Sequence, residues 1–94
     1  MHTYDVEMTD LYCGEANYGW VRRETVTMPE LTHYGYDGST NYSAANRRFE
    51  RDLMRRAKAA LGITGWRGVK RSQGDSIELR PYGGTRIVFI TYRD

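Results

Sequence analysis

A single segment limits the folds open to this chain. Residues 43–61 (SAANRRFERDLMRRAKAAL) form the one stretch whose apolar positions recur with a helical period, and no Gly or Pro interrupts it. Ala45, Phe49, Leu53, Ala57 and Ala60 or Leu61 fall three or four residues apart, which predicts a buried stripe on a helix of about five turns. Ser43 is placed to cap the start and Gly62 fits the position just past the end, while Asn46 stands where a capping box would have Glu or Gln. A helix with one apolar stripe must bury it against a second layer. The rest of the chain reads as strands, so that layer is expected to be a sheet.

Residues 3–11 alternate, with Tyr4, Val6 and Met8 on one face and Thr3, Asp5, Glu7 and Thr9 on the other. Gly14 and Asn17 suit a hairpin connection over 12–17, after which 18–28 return as a second strand. Trp20 and Val21 are apolar neighbours on opposite faces, so either the strand bulges there or one of them meets something outside the core. Pro29 has no N–H to donate and ends that strand. Beyond the helix, 66–72, 76–82 and 85–93 are three further strands separated by QGD and GG turns. The apolar run Ile87, Val88, Phe89, Ile90 marks the last of them as central. The expected fold is α+β: a two-layer sandwich of one helix packed on an antiparallel sheet, in the order β-β-α-β-β-β, forming a single domain over 1–94. The second sheet face is expected to lie open and to carry several of Asp5, Glu7, Arg22, Glu24, Arg67, Arg71, Glu78 and Arg80.

Residues 29–42 show neither period and form a long loop in which Tyr34, Tyr36 and Tyr42 are interleaved with Gly, Ser, Thr and Asn. That mixture suits a recognition loop, because tyrosine offers large amphipathic contact area at low entropic cost. The alternative is that these tyrosines lie back over the edge of the core.

Charge is sorted along the chain. Residues 1–42 hold seven acids and two bases, 43–61 hold six bases and two acids, and 62–94 hold six bases and three acids, so the formal net charge of +2 conceals two opposed blocks. Arg47, Arg51, Arg55 and Lys58 form a stripe opposite the apolar one, flanked by Arg48 and Arg56. Like charges at that spacing repel by a few tenths of a kcal/mol per pair, so the pattern points to a charged partner as well as to a solvated face. With Tyr34, Tyr36, Trp20 and Trp66 as aromatic anchors, these bases are the candidate binding residues.

The inventory for catalysis is thin. His2 and His33 stand in no nucleophile or metal-ligand motif, and no Walker loop, H-E-x-x-H, zinc-finger spacing or G-x-S-x-G occurs. Cys13 is the only cysteine, which excludes an intrachain disulfide and a thiolate metal cluster and is expected to be a small, partly buried residue near a turn. Glycines 62, 65 and 68 follow the helix instead of preceding one, so they suit chain termination better than a phosphate cradle. No enzyme activity, cofactor or metal is expected. No apolar run approaches the roughly 20 residues of a membrane span, and the amino terminus lacks the pattern of a secretory signal, so a cytoplasmic site of action is expected.

EANYGWVRR (15–23), AKAALGITG (57–65) and GDSIELRPYGGTRIVFITY (74–92) resemble a group of short proteins encoded by bacteriophages and prophages. In that group an E-A-N-Y-x-W-V-R-R hairpin precedes an A-K-A-A-L-G helix end. The resemblance covers about two thirds of the chain and skips the loop. Small phage proteins of this layout include anti-CRISPR proteins, several of which set one helix against an antiparallel sheet and occlude or mimic nucleic acid. The resemblance thus implies a phage-encoded inhibitor working in the cytoplasm of a bacterial host. It would bind a CRISPR-Cas effector or similar nucleoprotein complex through charged surfaces and block nucleic-acid engagement; no functional residue is carried over. The alternative from the residues themselves is a small nucleic-acid-binding protein that uses the basic helix, with Arg67, Lys70 and Arg71, for backbone contacts. A third reading is virion assembly through an exposed sheet edge.

Overall fold

The computed structural model describes the backbone of residues 2–12, 15–83 and 86–93, and the side chains of 2–10, 22–83 and 86–93. Five strands and one long helix follow in the order β1 (His2–Tyr12), β2 (Glu15–Met28), a short 3-10 helix (Leu31–Tyr34), α1 (Tyr42–Leu61), β3 (Gly68–Gln73), β4 (Ser76–Pro81) and β5 (Arg86–Tyr92). The architecture is α+β with one antiparallel sheet, and the strands lie side by side as β2-β1-β5-β4-β3. The apolar run of β5 does occupy the middle position. It pairs along both edges, with Val88 and Ile90 buried on the helix face and Phe89 half-buried on the other.

Register explains which face the helix covers. Val6 stands opposite Ile90, Met8 opposite Val88, Leu79 opposite Val88 and Tyr4 opposite Val26, so one sheet face is apolar across four strands. Phe49, Leu53, Met54, Ala57 and Leu61 of α1 close on it, with Met28 and Ile63 completing the core. Leu53, 1% exposed, sits at its centre. The helix lies chiefly over β2 and β1. Two arginines bind it there: Arg56 donates to the Thr27 carbonyl of β2 at 2.9 Å, and Arg22 of β2 donates to the Leu61 carbonyl at 3.2 Å. The second contact also serves a carbonyl left without a partner at the helix end.

Several local expectations are corrected. The helix starts at Tyr42 and not after a Ser43 cap: Asn41 takes the capping position with a left-handed backbone (φ 64°), and its carbonyl accepts from Ala45 at 2.9 Å without side-chain help. The loop is not without structure, because residues 31–34 wind into a 3-10 turn closed by Gly35 at φ 101°. The second strand begins earlier than expected, at Glu15, and the third later, at Gly68. Arg22 and Glu24 face the helix side and not the open face, since they pair with Met8 and Val6. The irregularity at Trp20 and Val21 is a bulge: Thr9 pairs with Trp20 and Met8 with Arg22, leaving Val21 as the extra residue. Cys13 lies outside the described residues.

Gly68 is demanded by close approach. A Cβ built there would stand 2.1 Å from the Arg80 carbonyl oxygen of β4. Gly68→Ala therefore must push β3 from β4, and a destabilisation of about 1–3 kcal/mol is expected in chemical denaturation. An unchanged midpoint would show that the strand end yields freely.

Candidate functional site

The basic stripe of α1 forms one wall of a groove. Because the helix lies over the β2-β1 side, its outer flank faces the far edge of the sheet across a gap. The 62–67 connection closes one end of that gap. Arg47, Glu50, Arg51, Met54, Arg55, Lys58, Thr64, Gly65 and Lys70 line a hollow of about 500 Å³ there. Met54, Lys58 and Lys70 also line a neighbouring hollow of about 380 Å³, which continues past Arg67 and Gly68 to Tyr82. Across the two hollows the lining holds six bases, Arg47, Arg51, Arg55, Lys58, Arg67 and Lys70, and a single acid, Glu50. Met54 supplies an apolar floor.

Pairing separates these bases from the others. Arg55 is paired with Asp52, and Lys70 approaches Glu50 only at 4.0 Å. Arg47, Arg51, Lys58 and Arg67 make no side-chain hydrogen bond or ion pair among the described residues. By contrast, the acids of the first two strands whose side chains are described are engaged: Asp5 with Arg93 at 3.7 Å, Glu7 with Arg23 at 3.6 Å, Asp10 with Arg86 at 3.3 Å and Glu24 with Arg22 at 3.0 Å. Glu30 meets His2 at 2.8 Å. Asp37 accepts from the Ser39 and Thr40 backbone N–H groups, and its bonds to Thr40 hold the carboxyl down to about 2. The acidic block of the sequence is thus largely neutralised in place, and the basic block is not. Exposed pairs of this kind contribute little to stability, so what they change is the surface field.

The chain matches no family model, no curated protein and no solved structure. The reading of the site therefore rests on its geometry.

Of the residues expected to bind, the groove brings together Arg47, Arg51, Arg55 and Lys58. Arg48 and Arg56 turn away, Arg48 donating to the Tyr34 carbonyl at 3.1 Å and Arg56 pairing with Asp52 at 3.2 Å. Trp66 lies at the groove's far end, 39% exposed, in a hollow of about 310 Å³ that it shares with Arg67, Pro81 and Tyr82. The Trp20 side chain lies outside the described residues. Tyr36 stacks edge-on to Tyr42 and lines a separate hollow with His2, Glu30 and Tyr92 at the other end of the helix. Tyr82, 71% exposed, is a groove residue that sequence reasoning missed. Its only signal was an aromatic residue between a strand-ending Pro81 and Gly83. Among the described residues no group of three His, Cys, Asp or Glu side chains is arranged to hold a metal, and no helix is long and apolar enough to cross a membrane.

Tyr34 packs inward. Its ring meets Phe49 edge-on at 5.6 Å and its hydroxyl donates to Asp52 at 2.6 Å. Burial, followed by that bond to a carboxylate, pushes the hydroxyl up to about 12. Burial opposes the charge on Asp52, but the Tyr34 hydroxyl together with Arg55 and Arg56 outweighs it and holds the carboxyl below its ordinary value. The Tyr34 value is raised on folding, so its contribution is complete below pH 10 and is lost as pH rises toward 12. Tyr34→Phe is expected to cost about 1 kcal/mol at neutral pH. In thermal melts it should also remove part of the alkaline loss in that window, and a variant as stable as the parent at both pH values would contradict the assignment.

Proposed function

We propose that this chain is a binding protein without catalytic function that grips the sugar-phosphate backbone of a nucleic acid in the groove between α1 and β3. One observation carries the reading: six bases converge on a concave surface with one acid among them, and four of the six have no partner among the described residues. Gathering like charges opposes folding, and polyphosphate is the ligand that repays it, through neutralisation and release of condensed counterions. Nothing in the helix resembles a base-reading element, so the contacts are to backbone and shape.

Arg47 and Arg51 are exposed and have no partner among the described residues, so they can be changed without loss of structure. Arg47→Gln with Arg51→Gln is expected to weaken polynucleotide binding more than tenfold and to reduce the slope of log K against log salt by about 1.5. Relief of repulsion should leave the melting temperature equal or slightly higher. A parent protein that retains no polynucleotide at low salt would sink the reading.

A second reading follows from the opposite face, where Asp5, Glu7 and Glu78 alternate with Arg23, Arg71 and Arg80 across the open sheet. With two charged faces the chain could bridge the protein and nucleic-acid parts of one complex. This supports the phage-encoded inhibitor implied by the resemblance: an anti-CRISPR-like protein in the cytoplasm of a bacterial host that occupies a CRISPR-Cas effector or a similar nucleoprotein complex. The purified chain should then retain effector subunits from a lysate under interference-active conditions, and the double Arg→Gln variant should block interference less well. Retention of no effector component would count heavily against it.

A further inference from the structure

We infer that the groove takes a single-stranded polynucleotide, whose unpaired bases stack on Trp66 and Tyr82 while its phosphates follow the basic wall of α1. This rests on the backbone-binding reading above and goes beyond it by naming the strand state of the ligand and the residues that select it.

Three hollows join into one track. The first, along Arg47, Arg51 and Lys58, shares Lys58 and Lys70 with the second, and the second shares Arg67 and Tyr82 with the third, where Trp66 stands. The helical wall from Arg47 to Lys58 alone runs about 16 Å at 1.5 Å per residue. Cations therefore occupy one end and the middle, and aromatic rings the other end. The backbone that carries the rings is tied down. Tyr82 N–H donates to the Arg67 carbonyl at 2.9 Å, tying the start of β3 to the end of β4, and Trp66 N–H donates to the Ile63 carbonyl at 3.0 Å in the turn that follows the helix. Neither ring belongs to the core that α1 closes. Their exposure has no return within the fold, and Tyr82 is the most exposed of the large hydrophobic side chains among the described residues.

A duplex would use only half of this track. Its bases are stacked on one another and offer no free face, so the aromatic end would stay idle; a splayed strand presents a face at every nucleotide. A cleft between a helix and a sheet edge also suits a thread of backbone better than a cylinder, which needs an element that enters its groove. An acidic protein surface could also use the cations and rings as anchors, but it would neither release condensed counterions nor stack on the rings one base after another, and the test below separates the two.

The test uses the whole chain and fluorescence anisotropy with labelled strands of about 12 thymidines or uridines, within the site sizes typical of single-strand binders, against a duplex of equal length. At least one single strand is expected to bind ten times more tightly than the duplex, and which one does so separates DNA from RNA as the source. Tyr82→Ala, at a site too exposed to affect folding, is expected to weaken that binding about fivefold or more, with Tyr82→Phe close to the parent. Trp66→Ala should act in the same direction. The salt slope should not move in these variants, because the phosphate contacts remain. Equal or tighter binding of the duplex, unchanged affinity in both alanine variants, or equal binding of polyglutamate of matched charge overturns the inference. The first two of those outcomes leave the backbone-binding reading standing. Failure of every polynucleotide to bind overturns both.

Discussion

The position of α1 over one side of the sheet is the constraint on which the remaining features depend. Its apolar stripe can be covered only where Val6, Met8, Val26, Met28, Val88 and Ile90 make the sheet face continuous. Arg56 and Arg22 then hold it beside β2 by bonds to backbone carbonyls at Thr27 and Leu61. Placed there, the helix cannot also reach the far edge formed by β3. The groove is what that offset leaves uncovered, and the basic flank of the helix is the side that borders it.

The same offset divides the arginines of α1 by role. Arg48 and Arg56 lie on the side turned toward the 3-10 turn and β2, where carbonyls of Tyr34 and Thr27 are within reach. Arg47, Arg51 and Lys58 lie on the other side and find no partner among the described residues. A residue type that looks uniform along the helix is thus used twice, as a tether where acceptors are near and as free charge where they are not. Arg suits both uses, since its planar fork makes directed bonds to carbonyls and phosphates alike.

Strand order has a comparable effect on the acids. β5 carries Arg86 and Arg93, and its place next to β1 sets them against Asp10 and Asp5. Residues more than seventy positions apart in the chain thereby cancel a field that the linear sequence presents as a block of one sign. The loop tyrosines show the same dependence on tertiary context. Tyr34 lies against Phe49 and Asp52, covering the core edge, because the 3-10 turn carries it back over the helix.

Periodic patterns near in sequence were sufficient to define the helix, its buried stripe, the five strands and the central place of β5, and to mark an irregularity at Trp20 and Val21 that the strand register then resolved as a bulge. Each of these follows from side-chain spacing of about 3.6 or 2 residues, which is a local property of the backbone. The Asn41 cap and the 3-10 turn escaped although Asn41 and Gly35 are residue types that favour a left-handed backbone, because Ser43 nearby offers a competing cap and a four-residue turn is too short to show a period. Which charges stay free was decided only by the tertiary structure. Pairing is a matter of distance between strands and helix faces, and the order β2-β1-β5-β4-β3 cannot be inferred from charge or hydropathy along the chain. Tyr82 entered the site for the same reason: the hydrogen bond from its N–H to the Arg67 carbonyl brings two strand ends together, and with them an aromatic ring and a cation that the sequence holds fifteen residues apart.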